Sequence, residues 1–134
     1  MKIGIVGSRR YKDKDKVQKA VELIIEKYGK DKLIIVSGGC KNGGDALGKE
    51  VALEKGIEYI EFNPAHESKN EFSNMPDEFY NKPYNVGNYF ERNTLIAKYC
   101  DYLLAFIPEG VTSNGTIDTV NKTKKLGKGV KIIN

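Results

Sequence analysis

The chain has 134 residues and a mass of 15.0 kDa, one domain's length and enough to bury a real core. Hydrophobic residues make up 40% and charged residues 30%, which excludes a disordered or membrane-embedded chain. The 22 basic residues against 18 acidic ones leave a net charge of +4 with Lys and Glu interleaved, so nucleic acid is disfavoured as a partner, because its binders gather their charge on one face.

Met1–Val6 leads straight into a strand, too short for a signal peptide. The longest apolar runs, Leu33–Val36 and Tyr102–Pro108, fall far short of the ~20 residues that span a bilayer, so a cytoplasmic location without membrane contact is expected. Ile3–Val6 reads as the first strand, closed by Gly7. Asp13–Tyr28 reads as a helix, because Val17, Ala20, Val21, Ile24, Ile25 and Tyr28 form one stripe and Gly29 stops it. Leu33–Val36 is a buried second strand ending in Ser37-Gly38-Gly39. A helix follows over 44–55 with Leu47, Gly48, Val51 and Ala52 inward, small enough for close packing on a sheet. Ile57–Phe62 is a third strand whose alternating charges suit an edge. After a long polar loop, Asn63–Asn85, come a helix over 86–99 and an apolar, hence central, strand Tyr102–Ile107. A helix over 116–126 and a short strand Val130–Ile133, with Lys131 inside it, close the chain.

Strands alternating with helices predict an α/β fold: a Rossmann-like three-layer sandwich on a five-stranded parallel sheet, all of 1–134 forming one domain. The two weak strands belong at the edges, which gives the order 3-2-1-4-5. The alternative, 2-1-3-4-5, would bury the charged third strand. Ligands of such sheets bind beyond the carboxyl ends of the strands where the order reverses, here between strands one and four. Four segments converge on that edge: Gly7-Ser8-Arg9; Ser37-Gly38-Gly39 with Gly43-Gly44-Asp45; Arg92-Asn93; and Ser113-Asn114-Gly115-Thr116. Glycines let backbone N–H groups approach a phosphate, and helix starts at Gly43-Gly44 and Gly115-Thr116 add partial positive charge. Arg9 and Arg92 suit bidentate phosphate pairing. Asp45 suits a sugar hydroxyl or a helix cap. Tyr80, Tyr84, Tyr89 and Phe90 read as cover for the core rather than as a stacking set.

Other motifs fail. Gly4-Ile5-Val6-Gly7 lacks the dinucleotide spacing, and Gly43–Lys49 fits GxxxxGK but has Glu50 where a magnesium-binding Ser or Thr belongs. His66-Glu67-Ser68-Lys69-Asn70 begins like a zinc motif and lacks its second histidine, and Cys40 and Cys100 lie far apart, so no metal and no cofactor is expected.

GSR after strand one, SGG then GGD after strand two, ERN before strand four and S-x-GT after it together resemble the SLOG superfamily, which joins the DNA-processing protein A and Lonely Guy families. The resemblance spans Gly4 to about Val120 and implies a Rossmann-like sheet that binds a nucleotide or nucleotide-derived small molecule, as a binding or sensor protein. Lonely Guy enzymes are phosphoribohydrolases, so the resemblance also implies an alternative: cleavage of a nucleotide's N-glycosidic bond, with Arg92 and Asp118 as catalytic candidates. The family's PGGxGTxxE glutamate falls on Thr119, beside Asp118, and a nucleoside deoxyribosyltransferase-like turn lacks the same glutamate. Glu67, Glu71 and Glu91 are other carboxylate candidates for stabilising an oxocarbenium-like charge. Relatives of the fold dimerise beside the ligand site, and Phe90, Ile96, Tyr99 and the loop aromatics exceed what one sheet face covers, so a homodimer is expected.

Overall fold

Period-two alternation along the strands divides the core between two faces. In the computed structural model, which describes residues 1–134, the strands are β1 (Lys2–Gly7), β2 (Ile34–Ser37), β3 (Glu58–Glu61), β4 (Tyr102–Phe106) and β5 (Gly129–Ile133). They form one parallel sheet ordered β3-β2-β1-β4-β5, as the burial grades of the sequence predict. Ile3, Ile5, Leu33, Ile35, Leu104 and Phe106 point to one face. Val6, Val36, Leu103 and Ala105 point to the other. Helices α1 (Lys14–Tyr28) and α2 (Gly43–Glu54) cover the first face with Val17, Val21, Val51 and Ala52. Helices α3 (Gly87–Tyr99) and α4 (Asn114–Lys125) cover the second with Ile96 and Val120. The result is the expected three-layer sandwich.

Local chemistry sets the element ends. Asp13 caps α1, its carboxylate accepting the Lys16 N–H at 3.2 Å, and Gly29 ends the helix at φ 84°. The small face of α2 works as expected: a side chain on Gly48 would come within 2.6 Å of Ile5, and one on Gly44 within 2.6 Å of the Gly7 backbone. Gly43 is held at φ 76°, where a Cβ would collide with the Ser8 carbonyl. The start of α2 is therefore pressed against the turn after β1, and Gly44 N–H donates to that same Ser8 carbonyl at 3.1 Å. Helix α4 begins two residues before the expected Thr116, which puts Asn114 and Gly115 in its first turn.

Glu61 of the edge strand β3 is not solvent-facing: it is 2% exposed. Part of the long polar 63–85 segment packs on the sheet. Glu61 donates its N–H to the Phe72 carbonyl and its carbonyl accepts from Asn74 N–H, so residues 72–74 pair with the carboxyl end of the edge strand β3. Ile96, expected among apolar residues in excess of the core, is fully buried within it. No helix is long and apolar enough to cross a membrane.

Candidate ligand cleft

At the carboxyl edge of the sheet, between β1 and β4, a cleft of about 890 Å³ opens, within the range that takes a whole organic ligand. Gly7, Ser8 and Arg9 line it from the β1 turn, Gly38, Gly39 and Asp45 from the β2 turn and α2, Arg92 and Asn93 from α3, and Ser113, Gly115 and Thr116 from the start of α4. Four ligand-binding candidates from the sequence lie outside the lining, as do the carboxylate candidates Glu71 and Glu91. Ser37 is turned away, fully buried, with its hydroxyl 2.6 Å from that of Tyr59. Gly43 and Gly44 are spent on the β1–α2 contact, and Asn114 is exposed on the far side of its turn. Asp118 is also outside. It accepts from the Asn93 amide at 3.1 Å and pairs with Lys122 at 2.9 Å, while Thr119, one residue on, lines the cleft. A single residue on a helix is a rotation of ~100°, which is why the two neighbours face differently.

One hydrogen-bond chain ties the walls together. The Asp45 carboxylate, 6% exposed, accepts the backbone N–H groups of Gly7 at 3.2 Å, Gly38 at 3.1 Å and Cys40 at 3.4 Å. It is therefore committed to backbone and is neither a helix N-cap nor an open partner for a sugar hydroxyl. Burial raises its pKa above the ordinary carboxylate range, against the pull of the Arg92 charge and the three amides. Arg92 reaches across from α3 and donates through Nη1 to the Gly38 carbonyl at 2.5 Å. Its Nε–H donates to Asn93 Oδ1 at 3.0 Å, and Asn93 Nδ2 donates to the Gly115 carbonyl at 3.3 Å. Two of the five guanidinium N–H donors are thus used to aim the group, and the rest stay available for a ligand.

Charge in the cleft is lopsided. Arg9, Arg10, Lys41 and Arg92 line it, and none of the structure's ion pairs uses any of them. The opposing carboxylates are Asp45, already committed, and Glu67, which carries no side-chain hydrogen bond or ion pair. The start of α4 adds backbone amides: Ser113 at its N-cap makes no side-chain bond to them and instead donates to Thr116 Oγ1 at 2.7 Å. Such an arrangement of charge and amides is chemically suited to an oxyanion. Sequence reasoning missed Arg10, Lys41 and the 110–112 turn, which reach the cleft only through the path of their loops. It also misread three aromatic residues: Tyr84 is 69% and Phe90 46% exposed and Tyr89 lines the cleft, so none of them is core cover, whereas Tyr80 is buried as expected.

A second polar cluster stands behind the β2 turn. The Glu61 carboxylate accepts from Tyr59 O–H at 2.9 Å, Asn63 Nδ2 at 2.6 Å and Asn70 Nδ2 at 2.9 Å, with Lys49 Nζ 3.3 Å away. Burial acts to raise its pKa, but the bonds from Asn70, Asn63 and Tyr59 and the Lys49 charge outweigh it, and the pKa lies below the ordinary range. A side chain on Gly39 would touch both Asn63 and Glu61, so this cluster backs the floor of the cleft.

No protein-family model matches the chain, and no curated protein matches it in sequence. Among solved structures, the fold is similar to that of the molybdenum cofactor carrier protein MCP from Chlamydomonas reinhardtii, with a TM-score of 0.64 and 21% identity over 98% of this chain and 74% of that one. At that identity the likeness establishes a shared Rossmann-like fold.

Proposed function

We propose that this chain binds a nucleotide or a nucleotide-derived phosphate ester in the cleft and holds it without cleaving it, as a SLOG-type binding or carrier protein. The observation that carries the reading is the Arg92 guanidinium, fixed between Gly38 and Asn93 and facing the uncapped start of α4. A charge-assisted pair from Arg92 and the α4 amides would seat a phosphate at the switch point of the sheet. The carrier named in the similar structure supports holding a small molecule as a use of this architecture. Thr119 supports holding over cleavage: it is 1% exposed, its hydroxyl donates to the Gly115 carbonyl at 3.2 Å, and it supplies no carboxylate. The reading includes a homodimer, whose expected motive keeps the exposed Phe90 and Tyr84 and loses the buried Ile96. It also includes a cytoplasmic location, which the free thiols of Cys40 and Cys100 suit.

One observation favours a second reading, hydrolysis of an N-glycosidic bond: the unpartnered Glu67 carboxylate in the lining. Asp118, already held by Asn93 and Lys122, is a weaker candidate. Thermal unfolding with a panel of nucleoside monophosphates, followed by chromatography of the incubated nucleotide, tests both. The binder reading predicts stabilisation of roughly 2.7 kcal/mol at 100 times the Kd, with the nucleotide recovered intact. Sustained release of free base by the wild-type protein, abolished in Glu67→Gln, would replace it with the enzyme reading.

A further inference from the structure

We infer that the mouth of the cleft, walled by Val86, Tyr89 and Phe90, is a stacking subsite for a planar heteroaromatic group of the ligand. The inference rests on the phosphate-ester reading above and specifies what the ester carries. Tyr89, Arg92, Asn93 and Ile96 stand at i, i+3, i+4 and i+7 of α3, and all four line the cleft. Helix α3 returns antiparallel to the strands before β4, so its first turn stands highest above the sheet. At 1.5 Å rise per residue, Tyr89 lies ~6 Å above Asn93 along the helix. One helix face thus presents a cationic, hydrogen-bonding floor and, one turn up, an aromatic wall. The Arg92 guanidinium and the Tyr89 ring centroid are 5.7 Å apart, about the length of the sugar that separates a phosphate from a base.

The wall is built to stay in place. The Tyr89 ring meets the His66 ring edge-on at 5.0 Å and 76°, and the Tyr84 ring at 6.2 Å and 71°. The Arg92 guanidinium lies 5.7 Å from its centroid. His66 is anchored in turn by the Asn88 side-chain amide, 3.2 Å from Nδ1. Such an assembly loses little freedom when a ring binds against it. Val86 and Phe90, 59% and 46% exposed, extend the apolar surface outward, although the core beneath α3 is already closed by the fully buried Ile96. The cleft volume of about 890 Å³ also exceeds what a phosphate alone needs. Edge-to-face rings with a cation alongside favour a π-system over an aliphatic chain.

The test compares ligands that differ only by the base. Ribose 5-phosphate and the four common nucleoside 5′-monophosphates are titrated into wild-type protein, Phe90→Leu and the double variant Tyr89→Leu/Phe90→Leu. Calorimetry or tyrosine emission serves, since the chain has eight tyrosines and no tryptophan. At least one nucleotide is expected to bind wild-type protein about tenfold or more tighter than ribose 5-phosphate, the scale of a base stacked on an aromatic ring. That preference should shrink in Phe90→Leu and fall to within about threefold in the double variant. Equal wild-type affinity for ribose 5-phosphate and every nucleotide, or a preference that survives Phe90→Leu and the double variant alike, overturns the stacking subsite alone. Absence of binding by any of the five compounds overturns both the subsite and the phosphate-ester reading.

Discussion

Asp45→Ala is expected to lower folding stability by about 3 kcal/mol or more and to abolish ligand binding. The carboxylate is the acceptor for the N–H groups of Gly7, Gly38 and Cys40, and leaving a buried donor unsatisfied costs about 1–3 kcal/mol each. The loss is large against a total that for a domain of this kind is only about 5–15 kcal/mol. Asn is no rescue, because one of its two polar atoms is an NH₂ that would face a backbone N–H. The same substitution disturbs function directly. Gly38 is held by Asp45 through its N–H and by Arg92 through its carbonyl, so releasing one side frees the peptide that aims the guanidinium. Urea denaturation of Asp45→Ala and Asp45→Asn beside the wild type checks the first part, and an unfolding free energy within about 0.5 kcal/mol of wild type, the usual range for an inconsequential surface change, would refute the role.

Glu61→Leu is expected to cost about 2–4 kcal/mol, because buried donors left without an acceptor cost about 1–3 kcal/mol each. It strands the Asn63 and Asn70 amides, which lose their carboxylate acceptor, so the 63–85 segment is left hydrogen-bonded to β3 only through the Glu61 backbone. Glu61→Gln retains shape and part of the bonding, so it should lose less, and its acid profile identifies the charge. The Glu61 pKa is lowered in the folded chain, so its contribution is fully present above the ordinary carboxylate range and is lost as pH falls through the lowered value. Glu61→Gln should remove that part of the acid loss and flatten the stability curve there. Asp45 has the opposite sign: its pKa is raised, so its titration favours the folded state below the ordinary range and that gain declines as pH rises through the raised value. Stability measured by urea titration from neutral to strongly acidic pH separates the two, and an unchanged acid limb in Glu61→Gln would contradict the assignment.

The strand order was legible because burial leaves a plain mark on sequence. A strand covered on both faces is apolar throughout, as Leu33–Val36 and Tyr102–Ile107 are, and the strands with charges fall at the edges. The convergence of Gly7, Gly38, Arg92 and Gly115 on one cleft was also readable, because a parallel sheet puts every strand-to-helix turn on the same edge. Roles within the cleft were harder to read. Asp45 looked free for a ligand because its three partners are backbone amides, which no residue type announces. The burial of Glu61 was not readable, because its acceptor role depends on Asn70 returning from nine residues later. Gly43 and Gly44 looked like a phosphate cradle, whereas the same lack of side chains serves the close approach of α2 to β1. Tyr84 and Phe90 show that aromatic composition alone does not separate core from rim.

The central claim is that the cleft seats a phosphate ester through Arg92. Calorimetric titration of the best-bound nucleoside monophosphate into wild-type protein and Arg92→Ala tests it most directly. The account predicts saturable one-site binding by wild-type protein and a Kd about 10–150-fold weaker in Arg92→Ala, the loss of a charge-assisted bond worth roughly 1.5–3 kcal/mol. Undiminished affinity in Arg92→Ala, or no binding by wild-type protein, would contradict it.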